Sequence, residues 1–208
     1  MRLLLGTTNV GKIRDYKTLL SDLPIDIVTP NDLGITEKPE ETGETFEENA
    51  RIKAQFYLEK SGLMALGDDG GFEIDALGGA PGVYSRRWPF LEMGEDREAT
   101  DEELIQYALK KMEGVPKEKR GAQLRAIAVL RTPEGDDVVG EGKNRGVIAE
   151  KPREQRIRGF PFRDILWIPE RNKFFGDFTD AEHQTYNHRV AVLQPIKTFL
   201  SRKLATRN

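Results

Sequence analysis

The sequence predicts an α/β fold, read as one compact body with two lobes and as a single domain over residues 1–208. Three observations carry this. The first forty residues alternate an apolar run, a helical stripe and a second apolar run, the pattern of an α/β unit. Two Thr-x-x-Glu capping boxes, at Thr45 and Thr100, open amphipathic segments. The stretch from Ala122 to Ala149 alternates and is rich in valine and isoleucine, as antiparallel strands do. A chain of 208 residues with 38% hydrophobic and 32% charged side chains can bury a sizeable core beneath a well-charged surface.

In chain order, "RLLLGT" reads as a buried strand broken by Gly6, and the polar turn "TTNVGK" follows it. Ile13, Tyr16, Leu19, Leu20 and Leu23 recur at helical spacing, and "IDIVTP" is the next strand. After a polar loop, the helix capped by Thr45 carries an apolar stripe of Phe46, Ala50, Ala54 and Tyr57, and Gly62 stops it. "LMALGDD" and "GFEIDAL" read as two strands around an acidic pair, Asp68 and Asp69. Thr100 caps a helix over "DEELIQYALKKMEG". The strands after Ala122 are expected to turn at "PEGDD" and near "EGKNRG". "RGFPFRDILWIPE" reads as a shaped loop, and one last helix runs from near Asp180 or Glu182 past Leu200.

Composition excludes several functions. A net charge of -3 argues against binding a nucleic-acid polymer, which needs a concentrated basic face. The absence of cysteine removes disulfides, thiolate metal sites and cysteine nucleophiles, and two histidines do not make a multi-histidine zinc centre. The N-terminal apolar run is too short for a signal peptide and no stretch is fit to span a bilayer, so a cytoplasmic location is expected.

Four polar groupings lie near expected strand ends and helix starts, where open α/β sheets bind ligands. "TTNVGK" is either an ordinary helix cap with a solvated lysine or a phosphate cradle of hydroxyl, amide, helix N–H groups and ammonium; it lacks the P-loop spacing. In "EETGETF", Glu44 and Glu47 read as solvated first-turn acids, and Glu41 as either another or a metal ligand. Lys53, four residues after Asn49, either snorkels along the alanine stripe or meets phosphate. Asp68 and Asp69, followed by Gly70 and Gly71, form either an Asp-Gly turn or an oxygen-rich site of the kind magnesium prefers. Two adjacent, partly buried carboxylates need a compensating cation.

Taken together and in order, these pieces resemble the inosine triphosphate pyrophosphatase family. "TTNVGK" is similar to its T-x-N-x-x-K stretch, and "EETGETFEENARIKA" to its E-T-G-x-T-F-x-E-N-A-x-x-K-A block. "GDDGGFEIDALGGAPGVYSRRW" resembles its A-D-D-S-G-L…A-L-G-G-x-P-G-V-Y-S-A-R signature, and "NHRVAVL" its S-H-R-x-x-A-L ending. The resemblance implies a twisted mixed β-sheet with packed helices, in two lobes around a central cleft, an architecture shared with Maf-like proteins. It implies a homodimer that hydrolyses ITP, dITP or XTP to monophosphate and pyrophosphate, cleansing the nucleotide pool, with magnesium (or manganese) and a polarised water acting at the α-phosphorus.

By the same resemblance, Thr8, Asn9 and Lys12 hold phosphate, Lys53 neutralises the triphosphate, and Gly70 lies near it. Glu41, Asp68 and Asp69 hold the metal, and Asp69 is the general base. Phe160, Asp164, His183, His188 and Arg189 fall where the family holds the purine. The departures gather there. Gly70 replaces a serine, "RGFPFRDILW" carries one extra residue, His183 stands in place of a lysine and Asn187 in place of a serine. An altered base choice is therefore expected. Competing readings are a Maf-like pyrophosphatase for pyrimidine or modified nucleotides and a nucleotide-binding protein with weak turnover.

Overall fold

A computed structural model describes residues 1–91, 93–95 and 97–206; Glu92, Asp96, Arg207 and Asn208, which the expected 1–208 domain includes, lie outside the described residues. The elements, in chain order, are β1 (Arg2–Leu5), α1 (Val10–Leu19), β2 (Asp26–Val28), α2 (Phe46–Ser61), β3 (Met64–Ile74), β4 (Pro81–Gly82), α3 (Trp88–Leu91), α4 (Asp101–Lys111), β5 (Gly121–Arg131), β6 (Asp137–Ile148), β7 (Leu166–Ile168), β8 (Lys173–Phe174), α5 (Asp180–Tyr186) and α6 (His188–Ala205). The sheet is mixed and open, in the order β2-β1-β3-β5-β6-β7-β8, with β4 paired to β3. β1 runs parallel to β2 and β3, whereas the β6–β7 and β7–β8 pairs are antiparallel. An α/β fold with helices on a mixed sheet is what the sequence predicts.

Three expectations are corrected. The acidic pair does not separate two strands: β3 runs unbroken from Met64 to Ile74 through Asp68 and Asp69. "EGKNRG" is not a turn but lies inside β6, whose burial alternates; a Cβ on Gly142 would overlap the His188 carbonyl, so the glycine serves close packing. The last helix is two helices, because the Asn187 side chain accepts from Arg189 N and caps α6 afresh. The capping boxes at Thr45 and Thr100 both form.

The chain divides into two compact units. Met1–Gly70, Ala126–Gly142 and Asn187–Asn208 make the first, and Gly71–Arg125 and Lys143–Tyr186 the second. In the first, strand alternation sorts the core onto two faces. Leu3 and Leu5 of β1 and Met64 and Leu66 of β3 pack with Tyr16 of α1, Leu20 at its C-cap, and Val192, Leu193 and Ile196 of α6. On the opposite face, Leu4 and Ala65 meet Tyr57 of α2, and Ala50 and Ala54 meet Val129. Gly67 lets α2 approach β3 closely, since a Cβ there would run into the Ala50 carbonyl. In the second unit, Leu104, Ile105, Ala108 and Met112 close a largely aromatic core with Phe72, Trp88, Phe90, Phe162 and Phe175.

Candidate active site

The parity that sorts the apolar core also sorts the acids. Asp68 follows Leu66 on the α1/α6 face of β3, and Asp69 follows Gly67 on the α2 face, so neighbouring carboxylates acquire separate partners.

On the α2 face, the capping box starts the helix so that Asn49 and Lys53 project together toward β3. Lys53 is only 9% exposed, and its ammonium lies 2.8 Å from Asp69 Oδ1 and 2.7 Å from Glu41 Oε2. It neither snorkels nor stands free. Asn49 Nδ2 donates to Asp69 Oδ2 at 3.4 Å, while its Oδ1 accepts from Gly43 N at 2.8 Å and ties the loop that presents Glu41. Burial pushes the Asp69 carboxyl above its ordinary value, against the pull of Lys53 and Lys12. Burial would lower Lys53, but the Asp69 and Glu41 carboxylates hold it above the usual lysine value.

On the α1/α6 face, Asp68 is 1% exposed, ion-paired to Lys12 and hydrogen-bonded by the Tyr16 hydroxyl. Arg189 Nε is 3.6 Å from Asp68 Oδ2, and Arg189 Nη1 is 3.3 Å from Asp15 Oδ2. Asn187 Nδ2 donates to the same Asp15 oxygen at 3.0 Å. Burial alone would raise Asp68, yet Lys12 and Arg189 hold it well below the usual carboxylate range. His188 Nε2 is 3.1 Å from Arg189 Nη1, and because a guanidinium only donates, the imidazole accepts there. Two groups the sequence does not single out, Asp15 and Tyr16, complete this network. Tyr16 reads as one more member of an apolar stripe.

The two faces meet at one backbone atom. Lys12 Nζ and Lys53 Nζ each donate to the Asp68 carbonyl at 3.3 Å, so two ammonium groups converge on a single oxygen. Asn9 caps α1, its Oδ1 accepting from Gly11 N at 2.9 Å and Lys12 N at 3.1 Å; Thr8 is exposed just before it, and Gly70 ends the first unit on β3. Thus the cap is real, while Lys12 is held rather than solvated.

The remaining expected base contacts fall in the second unit. Asp164 is 1% exposed and accepts from Ile157 N at 3.1 Å and from Arg153 Nη1 at 3.3 Å, which fixes the 153–160 loop. Phe160 is half-buried, and His183 packs edge-on against Phe175 with centroids 5.1 Å apart.

For a hard divalent ion the donor chemistry fits in part. Glu41 and Asp69 already share one cation, Lys53, and two carboxylates with water and phosphate oxygens suit magnesium. Asp68 is turned to the other face, where Lys12 and Arg189 pair with it and its buried Oδ1 accepts no hydrogen bond. Among the described residues no three acids or histidines are gathered.

The sequence model of the Ham1 family matches residues 3–199. The chain belongs to the Ham1 family. It is 39% identical over 195 residues to an Escherichia coli protein named dITP/XTP pyrophosphatase, covering 93% of this chain and 94% of that one. A Bacillus subtilis protein of the same name is 34% identical over 197 residues, covering 95% and 96%. The structure of a HAM1 protein from Coxiella burnetii superposes with a TM-score of 0.81 at 30% identity, covering 97% of this chain and 99% of that chain. The Ham1 family match thus spans both units.

Proposed function

We propose that this Ham1-family protein hydrolyses purine nucleoside triphosphates of the ITP, dITP and XTP type to nucleoside monophosphate and pyrophosphate. The observation that carries the reading is the convergence of Lys12 and Lys53 on one carbonyl, beside the buried Asp69 carboxylate. A triphosphate carries about four negative charges and needs several cations at once. Lys12 and Lys53 exchange their carboxylate partners for phosphate oxygens, with Thr8, the start of α1 and Gly70 alongside. Asp69, whose affinity for a proton burial has raised, takes one from the attacking water. The water oxygen bonds to the α-phosphorus, the α–β bridging P–O bond breaks, and pyrophosphate leaves with the electron pair. Glu41 and Asp69 would hold magnesium (or manganese), which neutralises triphosphate charge and polarises the scissile phosphoryl group.

Base choice is read as altered, because the ring-packed imidazole of His183 is a weaker partner for a keto oxygen than an ammonium. We read the chain as one cytoplasmic pyrophosphatase domain that forms a homodimer; exposed Tyr84, Leu91 and Met93 favour an apolar seam.

The test is incubation with magnesium and a panel of purine and pyrimidine triphosphates, with monophosphate and pyrophosphate quantified. Pyrophosphate release from purine substrates is expected, with Asp69→Asn lowering kcat about a thousandfold. Turnover confined to pyrimidines, or an unchanged Asp69→Asn rate, would overturn the reading. ITP and XTP turnover far above ATP and GTP would remove the altered base choice alone.

A further inference from the structure

The loop that carries one extra residue holds a buried arginine, Arg163. Pro161–Asp164 form a turn of 3₁₀-helix, in which side chains three apart eclipse one another. Arg163 N donates to the Phe160 carbonyl at 3.0 Å, and the Arg163 guanidinium lies 3.6 Å from the Phe160 ring centroid. The same guanidinium is 4.9 Å from the Phe175 centroid, and Arg163 is 1% exposed. Phe162, between them, is directed into the core, where it stacks on Phe72 at 4.5 Å and 10°. A buried cation thus backs a ring that keeps part of its surface exposed.

We propose that Arg163 is a positioning residue for the nucleobase: its guanidinium, laid flat against Phe160, holds that ring as a fixed platform on which a planar base stacks. The inference rests on the nucleotide reading above and adds to it a residue that touches the ring, not the substrate. A planar guanidinium stacks on an aromatic face, whereas an ammonium acts as a point charge. A fixed ring binds a base with less ordering cost than a mobile one. Phe162 anchors the turn from below, and the Arg163 guanidinium lies against the Phe160 ring.

The test compares steady-state kinetics of Arg163→Lys, Phe160→Leu and the double variant with the parent, using ITP and base-free ribose 5′-triphosphate. Arg163→Lys keeps the charge and near volume, so it preserves the fold; thermal melting checks this. For ITP its KM is expected to rise about tenfold, more than kcat falls. For the base-free substrate KM stays within about twofold, and the double variant adds little to Phe160→Leu, as coupled residues do. A purely structural Arg163 would instead lower kcat through lost folded enzyme and leave the ITP KM intact, which would overturn the proposal. So would equal KM changes for both substrates, or full additivity with Phe160→Leu. Should Arg163→Lys melt early, Arg163→Gln read by KM alone decides in the same way. Failure of the parent to hydrolyse ITP would strike the nucleotide reading, a distinct result.

Discussion

The two units bury cations in opposite ways. In the first, each buried cation faces carboxylates: Lys12 and Arg189 meet Asp68, Arg189 also meets Asp15, and Lys53 meets Asp69 and Glu41. In the second, rings and backbone carbonyls take that part: Arg163 lies over Phe160 and Phe175, and Arg120 donates to the Met112, Ile148 and Ala149 carbonyls. A network of opposed charges can trade partners, since a bound polyanion replaces the carboxylates without leaving an ammonium bare. A cation against rings keeps its place and fixes a shape. The first arrangement suits phosphate chemistry and the second suits holding a flat surface.

Breaking the charge network should cost most. Arg189→Met leaves Asp68 and Asp15 buried beside a thioether, and about 4 kcal/mol of stability is expected to be lost, measured by urea unfolding. In the second unit the corresponding cut is apolar. Phe162→Ala removes the ring stacked on Phe72 and should cost about 3 kcal/mol through the cavity it leaves. If Arg189→Met proved neutral while Phe162→Ala did not, the contrast between the units would fail. The smallest effects sharpen the comparison by ignoring it. Thr45→Ala and Thr100→Ala each remove one capping box, one per unit, and about 1 kcal/mol is expected from both. A marked inequality would mean that the caps draw on their surroundings.

Much of the first unit was legible in the sequence because its signals are local. Gly62, Thr45 and the Phe46–Tyr57 stripe specify α2 by neighbours alone, and they bring Lys53 to Asp69. The separation of Asp68 from Asp69 is not legible locally, because adjacent acids before two glycines read as the break between two strands; an unbroken β3 sends the two side chains to opposite faces. Asp15 and Tyr16 escaped for a different reason. Their partners are 174 and 52 residues away, so no window of sequence contains the pair. Asp164 was placed among base contacts by resemblance, yet it spends its oxygens on Ile157 and Arg153. Arg163 gives no signal in the sequence, because the rings it lies over are brought to it only by the fold.

Phosphate binding at this site requires Lys12 and Lys53 to leave their carboxylates and grip a polyphosphate chain. Inhibition by inorganic tripolyphosphate in the presence of magnesium measures this without any base. Lys12→Met and Lys53→Met are each expected to weaken inhibition about tenfold or more, and the double variant to weaken it further. Unchanged inhibition in both single variants would show that the triphosphate is held elsewhere and would contradict the central claim.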